Sequence, residues 1–427
     1  MRSLPKPAIL ILAAGLAIRL GTAVADSYRP FFPPYNYIDA QEFHNSALTI
    51  VRSWRGERDR LFGMGPGREL YTITVACLYR VFGPHPLLPA LINGFIAMGT
   101  ALFWYWLAAS LFNGSTALVT LALLSFWPSH VFFTSQHLKE SLFLFCIAAA
   151  ILPPLLTWNA PPGQADQNPH PRFALGSVAL ILVSMLRVHL LPIIGIALLT
   201  GGVAAILTHR KDRERSRVCA IGCAWILVVL AAALPVTKAA RKLISPTQVA
   251  PDAKFVPAVI VPEGVIEASI FTPEGLSERR YSMLKNARAT AGRRIETQIY
   301  PDIRFKSWWD VARFFPRVAF HSLFMPLPGF YPLGGKLSRI LASSENLVLL
   351  LLTVAAVMGA ARGPRSPATL SLLVLFCLIA APTALLEFDL GSAARHKLIF
   401  FPVLFPFAAW QISDILKRSK IQWLRID

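Results

Sequence analysis

Residues 190–237 read LLPIIGIALLTGGVAAILTHRKDRERSRVCAIGCAWILVVLAAALPVT. Two apolar runs, each close to the ~20 residues that a bilayer-crossing helix needs, flank the segment His209 to Arg217, which holds five Lys or Arg. The pattern is span, basic loop, span, and positive-inside bias assigns such a loop to the cytoplasmic side. The whole chain is built this way. Of its 427 residues 55% are hydrophobic and 15% charged, with a mean hydropathy of +0.52, whereas a soluble chain carries about 25% charged residues. A soluble globular protein is excluded, and about ten spans would take up roughly half the chain. The net charge of +19 and pI near 10.2 do not indicate nucleic acid, because the Lys and Arg sit at span ends and in loops rather than on one soluble face.

Further apolar runs lie at 86–112, 115–131, 140–158, 173–187, 344–361, 367–386 and 398–414. The start fits two readings: an uncleaved first span, or a signal peptide cut near Thr22-Ala23-Val24-Ala25. Arg19, deep in the run, favours the span, from which it would snorkel to the outer interface. That makes ten spans. The weaker run Leu70 to Phe82 carries Tyr71, Tyr79 and Arg80 and reads as a helix lying in the interface. With both termini cytoplasmic, fourteen Lys or Arg fall on the inner side and four in the short outer turns. An eleventh span at Leu70 would invert this and put the 209–217 loop outside.

The expected organisation is a transmembrane core over 1–237 with a first outer loop at 26–85, a large outer segment at 238–343, and C-terminal spans with a basic tail over 344–427. The 238–343 segment, with Pro246, Pro251, Pro257 and Pro262, a charged stretch from Ser277 to Glu296 and an amphipathic Ser307 to Phe324, reads as a small irregular cap ending in an interface helix. Trp308, Trp309, Phe314 and Phe315 suit the headgroup level. The five cysteines all lie in apolar segments, with neither a disulfide framework nor zinc-ligand spacing.

No Walker A, H-E-x-x-H or paired C-x-x-C pattern is present, and the glycines of Gly63 to Gly67 form a loop, not a Rossmann turn. Glu387-Phe388-Asp389 resembles an acidic metal-nucleotide-sugar motif but falls on the outer side, where nucleotide sugars are absent. What remains are polar residues that the topology gathers outside. Asp39 and Glu42 have the spacing of a capping box if a helix starts at Asp39; alternatively, a carboxylate there is a general base for an acceptor hydroxyl. Lys139 and Glu140 head the fourth span, either as interface anchors, with the Glu suited to the helix N-terminus, or as functional groups. Arg395, His396 and Lys397 precede the last span, where cations oppose the helix dipole; Arg395 suits a phosphate. Arg187 and His189, in the turn between the fifth and sixth spans, either snorkel or join a cationic pocket for a lipid phosphate.

The stretch from Tyr37-Ile38-Asp39-Ala40-Gln41-Glu42 through Arg68-Glu69-Leu70-Tyr71, Leu78 to Pro84, Leu111-Phe112-Asn113-Gly114 and Ser125-Phe126-Trp127-Pro128 to Lys139-Glu140 resembles the N-terminal half of GT-C membrane glycosyltransferases. It is most similar to the bacterial dolichyl-phosphate-mannose-mannosyltransferase-like and RgtA/B/C/D-like proteins, over roughly residues 8–200. Gly391 to Lys397 resembles the Gly-x-x-x-Arg-x-Arg/Lys element before the last span of bacterial exopolysaccharide and O-antigen membrane proteins. The resemblance implies a GT-C-like fold with interface helices in the first outer loop, a polyprenyl-phosphate-linked sugar as donor, an active site on the outer face of the inner membrane, and a first-loop acid as base. Asp39 matches that base, and Glu140 matches a second-loop acid. Glu69 matches a further acidic position only loosely, and Gly67-Arg68-Glu69-Leu70 replaces the prolines usual there, which leaves sugar and acceptor open.

The expectation is therefore an inverting glycosyl transfer to a glycan or lipid acceptor. Asp39 would be the base, and Arg395 with Lys397, helped by Arg187, would hold the departing phosphate. A divalent metal bridging carboxylate and phosphate is compatible with this chemistry, and the sequence does not single out its ligands. Two rivals stand: an O-antigen or exopolysaccharide polymerase, which Arg279-Arg280 and Arg293-Arg294 in the large outer loop would suit, and a non-enzymatic polysaccharide-export transporter or scaffold.

Overall fold

The computed structural model describes residues 4–31, 35–57, 67–160, 170–244, 272–291, 297–330 and 336–418. Among these residues there are fifteen helices and no strand, only an isolated antiparallel bridge between Gln298 and Asp389. In chain order the helices are α1 (Lys6–Tyr28), α2 (Tyr35–Trp54), α3 (Glu69–Phe82), α4 (Leu87–Leu111), α5 (Gly114–Phe126), α6 (Pro128–Thr134), α7 (Glu140–Trp158), α8 (His170–Leu186), α9 (Leu190–Thr208), α10 (Arg213–Ile244), α11 (Pro273–Ala291), α12 (Trp308–Phe324), α13 (Leu337–Arg362), α14 (Pro367–Leu386) and α15 (Leu390–Arg418).

Eight of them, α1, α4, α7, α9, α10, α13, α14 and α15, are long and apolar enough to cross a membrane, and the pair α5 and α6, bent by 57°, makes a ninth. The remaining apolar run is α8, a helix of 17 residues. The chain is a polytopic, all-α membrane protein. The Leu70 run is α3, whose 14 residues are too few to cross hydrocarbon ~30 Å thick. In the large segment before α13, the four prolines and Arg293-Arg294 lie outside the described residues. In the rest, most of the charged stretch is α11, and α12 opens on a true capping box. There the Ser307 hydroxyl accepts the Asp310 N–H at 3.1 Å and the Asp310 carboxylate accepts the Ser307 N–H at 3.0 Å.

Contacts divide the chain into two compact units, the first comprising 1–256, 355–376 and 402–427, the second 257–354 and 377–401. In the first, α7 packs against α4 and α8, α9 against α10, α1 against α4 and α5, and α2 against α3. In the second, Ile299, Val318, Leu390 and Ala393 form one buried cluster and Leu276, Phe305 and Val311 another, with Phe314 and Leu385 packed against both.

The bend between α5 and α6 corrects the reading of Arg19. Pro128 has no N–H, so the Leu124 carbonyl one turn earlier has no helical partner, and apolar surroundings make an orphan carbonyl costly. Arg19 is fully buried rather than snorkelling. Its guanidinium donates to the Leu124 carbonyl at 2.9 Å, the Ser125 carbonyl at 2.6 Å and its own Gly15 carbonyl at 3.1 Å. It also donates to Thr134 Oγ1 at 3.1 Å and His130 Nδ1 at 2.8 Å, so all five guanidinium N–H groups have an acceptor. The charge also sits at the negative end of α5. Gly15 allows the approach, since a Cβ there would lie 2.9 Å from the Ser125 Cβ.

Replacing this fork leaves several acceptors unanswered, each at about 1–3 kcal/mol. Arg19→Met is expected to lower the melting temperature of the detergent-solubilised protein markedly, and Arg19→Lys, with fewer donors, to restore only part of it. Wild-type melting of Arg19→Met would show that the bend does not need the guanidinium.

Candidate functional site

Asp39 does not cap a helix. α2 begins at Tyr35, one turn earlier, which places Asp39 and Glu42 on one face at i,i+3 spacing. Both turn to Arg68, the residue just before α3. One guanidinium nitrogen lies 3.3 Å from Asp39 Oδ1 and the other is in contact with Glu42 Oε2. The guanidinium also lies over the Phe43 ring, 5.7 Å from its centroid. The three charged side chains retain 31%, 25% and 26% exposure for Arg68, Asp39 and Glu42, enough for a substrate to reach them. Sequence reasoning gave Arg68 no role, because only the packing of α3 on α2 brings it there.

Lys139 and Glu140 are set by the turn between α6 and α7. Asn93 donates to Tyr71 Oη at 3.0 Å and to the carbonyls of Gln136 and Leu138 at 2.7 and 2.8 Å, and the Ser141 hydroxyl donates to the Thr134 carbonyl at 3.1 Å. The Lys139 ammonium donates to the carbonyls of Gly67 at 2.6 Å and Leu186 at 3.2 Å, tying the entry of α3 to the end of α8. Gly67 is required there: its φ is +82° and a Cβ would stand 2.6 Å from the Leu186 carbonyl oxygen. Glu69 is buried and accepts the Gly67 N–H at 2.8 Å. Glu140, 3% exposed, faces Arg187 at 3.5 Å, and Arg187 lies over the Phe143 ring at 5.1 Å. His189 is exposed at the start of α9, where its side chain does not cap the helix.

An aromatic layer adjoins Arg68. Phe43 meets Tyr71 edge-on at 4.9 Å, and His137 lies 6.3 and 5.8 Å from their centroids. His44 Nδ1 pairs with Tyr79 Oη at 2.8 Å. Burial raises the Tyr71 hydroxyl well above its ordinary range; the Asn93 bond opposes this and the nearby Glu140 charge adds to it. Burial, with His44 adding, lowers the His137 imidazole to about 3, so it is neutral at physiological pH. Arg68, Phe43 and Tyr71 thus connect Asp39 and Glu42 to Asn93 and, through the Leu138 carbonyl, to the turn that precedes Glu140.

In the second unit the cationic triplet is not a turn before a span. α15 begins at Leu390, so Arg395, His396 and Lys397 occupy its second turn and point in successive directions 100° apart. Asp389 caps the helix, its carboxylate accepting the N–H of Gly391 at 2.7 Å and of Ser392 at 3.2 Å. His396 pairs with the buried Glu387. Lys397 is buried and donates to Asn346 Oδ1 at 3.0 Å. Arg395 is half-buried. The acidic Glu387-Phe388-Asp389 stretch therefore serves α15, and the Phe388 carbonyl accepts the Ile299 N–H at 2.7 Å. Arg280, absent from the expected site, is buried and donates to the carbonyls of Leu385, at 3.2 Å, and Ile299. Burial lowers it to about 10, with Glu387 opposing. Among the described residues no group of three or more His, Cys, Asp or Glu stands together as a metal site.

The depressed His137 fixes a sign for acid stability. Unfolded, an imidazole protonates near 6.5; folded, His137 resists protonation down to about 3. Between these values the unfolded chain binds more protons, so stability falls as pH falls, by up to about 1.4 kcal/mol per pH unit from this group. Melting temperatures recorded from pH 7 to 4 are expected to drop less steeply for His137→Gln than for the wild type, and parallel curves would contradict the assignment.

No family model matches the chain, and no curated protein matches it.

Proposed function

We propose that the protein is a membrane glycosyltransferase that moves a sugar from a polyprenyl-phosphate carrier to a hydroxyl of a glycan or lipid acceptor. We further propose that it does so at the outer face of the cell's inner membrane, in cell-surface glycan or polysaccharide synthesis. The observation that carries this reading is the gathering in one unit of Asp39 and Glu42 with Glu140, each group against an arginine, in the part of the chain that resembles such enzymes.

In this reaction the acceptor oxygen attacks the anomeric carbon, its proton passes to a carboxylate, and the bond from that carbon to the phosphate oxygen breaks with inversion. Asp39 is suited to receive the proton because it is partly exposed on α2 and oriented by Arg68. Glu42 shares the same arginine and stands as its reserve partner. Glu140, buried at the start of α7, fixes Arg187. Arg68 and Arg187 are the cations suited to balance charge that develops on the leaving phosphate. Arg395 is the candidate in the second unit for a lipid phosphate.

Reconstituted into liposomes with a panel of synthetic polyprenyl-phosphate sugars, the wild type is expected to transfer one of them. Asp39→Asn preserves shape and an acceptor for Arg68 but cannot take a proton, so it should reduce turnover by about 10²–10⁴-fold with unchanged melting. Full activity would remove Asp39 as base. Arg395→Ala should weaken binding of the lipid donor about tenfold, the value of one charge-assisted contact; unchanged affinity would return Arg395 to a structural role.

A further inference from the structure

The position and composition of α12 suggest an interaction that the proposed reaction does not require. One face of this helix belongs to the core of the second unit: Val311 and Val318 are buried, and Phe314 packs against Tyr300 at 5.2 Å and Phe305 at 5.6 Å. Phe314 is thus a core residue, not a headgroup anchor as the sequence suggested, and Phe315 is half-buried.

The opposite face is different in kind. Trp309, Arg313, Pro316 and Phe320 follow one another at steps of three or four and form a single exposed stripe, flanked by Trp308 and Arg317. Trp308 and Trp309 are 53% and 74% exposed. Lys306 and Arg313 are exposed along it; Arg317, also exposed, donates to Tyr300 Oη at 3.0 Å and lies over that ring at 4.8 Å, and the helix's one acid, Asp310, is engaged in its own capping box. The height of the helix is set by its last turn: the Ser322 hydroxyl donates to the Ala384 carbonyl at 3.2 Å, two residues before the end of the apolar helix α14. Just beyond that turn, the Pro326 carbonyl accepts from Asn346 of the apolar helix α13 at 3.2 Å. The C-terminal part of the stripe therefore lies level with the end of α14, whose Leu385 also packs against Phe314.

We infer that α12 lies along the bilayer surface and binds anionic phospholipid headgroups, with Trp308, Trp309 and Phe320 entering the headgroup boundary and Lys306, Arg313 and Arg317 meeting lipid phosphates. Tryptophan is favoured at that depth because its ring is apolar and its N–H polar, and cations there gain from a negative surface. A stripe carrying tryptophans and arginines, with its one acid held in the capping box, matches such a surface in both respects.

The test uses the full-length protein in nanodiscs containing phosphatidylcholine brominated along its acyl chains, with or without phosphatidylglycerol. The wild type should show a quenchable tryptophan component that the Trp308→Phe/Trp309→Phe variant lacks, at unchanged circular dichroism and melting temperature. That component should be quenched more strongly with phosphatidylglycerol, and the gain should disappear in high salt and in Lys306→Gln/Arg313→Gln. Equal quenching of wild type and the double tryptophan variant would put both rings in water and overturn the inference. A component indifferent to phosphatidylglycerol would overturn its anionic-lipid part.

Discussion

The bond between Arg19 and the broken end of α5 is the constraint on which the first unit depends. Inside a membrane a backbone carbonyl without a partner is costly, and Pro128 creates one by withholding its N–H. Arg19 answers it and reaches on to Thr134 and His130 of α6. That fixes the direction in which α6 delivers the chain to the turn at residues 135–139, which Asn93 then grips by two carbonyls. Lys139 and Glu140 leave this turn at set positions, and through them the entry to α3 and the end of α8 are held. A charge that reads as an anomaly in an apolar run is the element that aims the candidate site.

The same chemistry recurs where the chain turns. Arg280 in the second unit serves the carbonyls of Leu385 and Ile299, and Lys139 serves those of Gly67 and Leu186. These cations supply donors at ends of helices and in loops, where regular backbone pairing fails. Others answer acids: Arg68 with Asp39 and Glu42, Arg187 with Glu140, His396 with Glu387. Part of the +19 net charge is thus internal scaffolding, part lies in the basic 209–217 loop, and part remains exposed, notably along α12. The composition alone made these three uses indistinguishable.

Much of the architecture was legible because hydrocarbon imposes one rule on every span. Each apolar run is helical, the 115–131 run being broken into α5 and α6 at Pro128, and α3 was recognisable as too short to cross. Errors fell where local pattern and three-dimensional context compete. Asp39 and Glu42 had capping-box spacing, but Tyr35 extends the helix and the box belongs to Ser307 and Asp310 instead. The Arg395 to Lys397 run stood out as cations opposing a helix dipole, yet Asp389 caps that helix and Glu387 answers one of them. Arg68 carries no local signal of its role, since its partners Asp39 and Glu42 lie on another helix.

The sequence by itself determined that the chain is a many-spanning helical membrane protein and where its apolar helices lie, because burial of apolar side chains and satisfaction of backbone hydrogen bonds are decided within each segment. It also identified the carboxylates at 39, 42 and 140 as noteworthy. Only the tertiary structure decided what each charged side chain does. A guanidinium can cap a broken helix, neutralise an acid or face a lipid with the same covalent structure. The choice among these depends on which acceptor the packing of distant helices brings within about 3 Å, a distance that no spacing along the chain encodes.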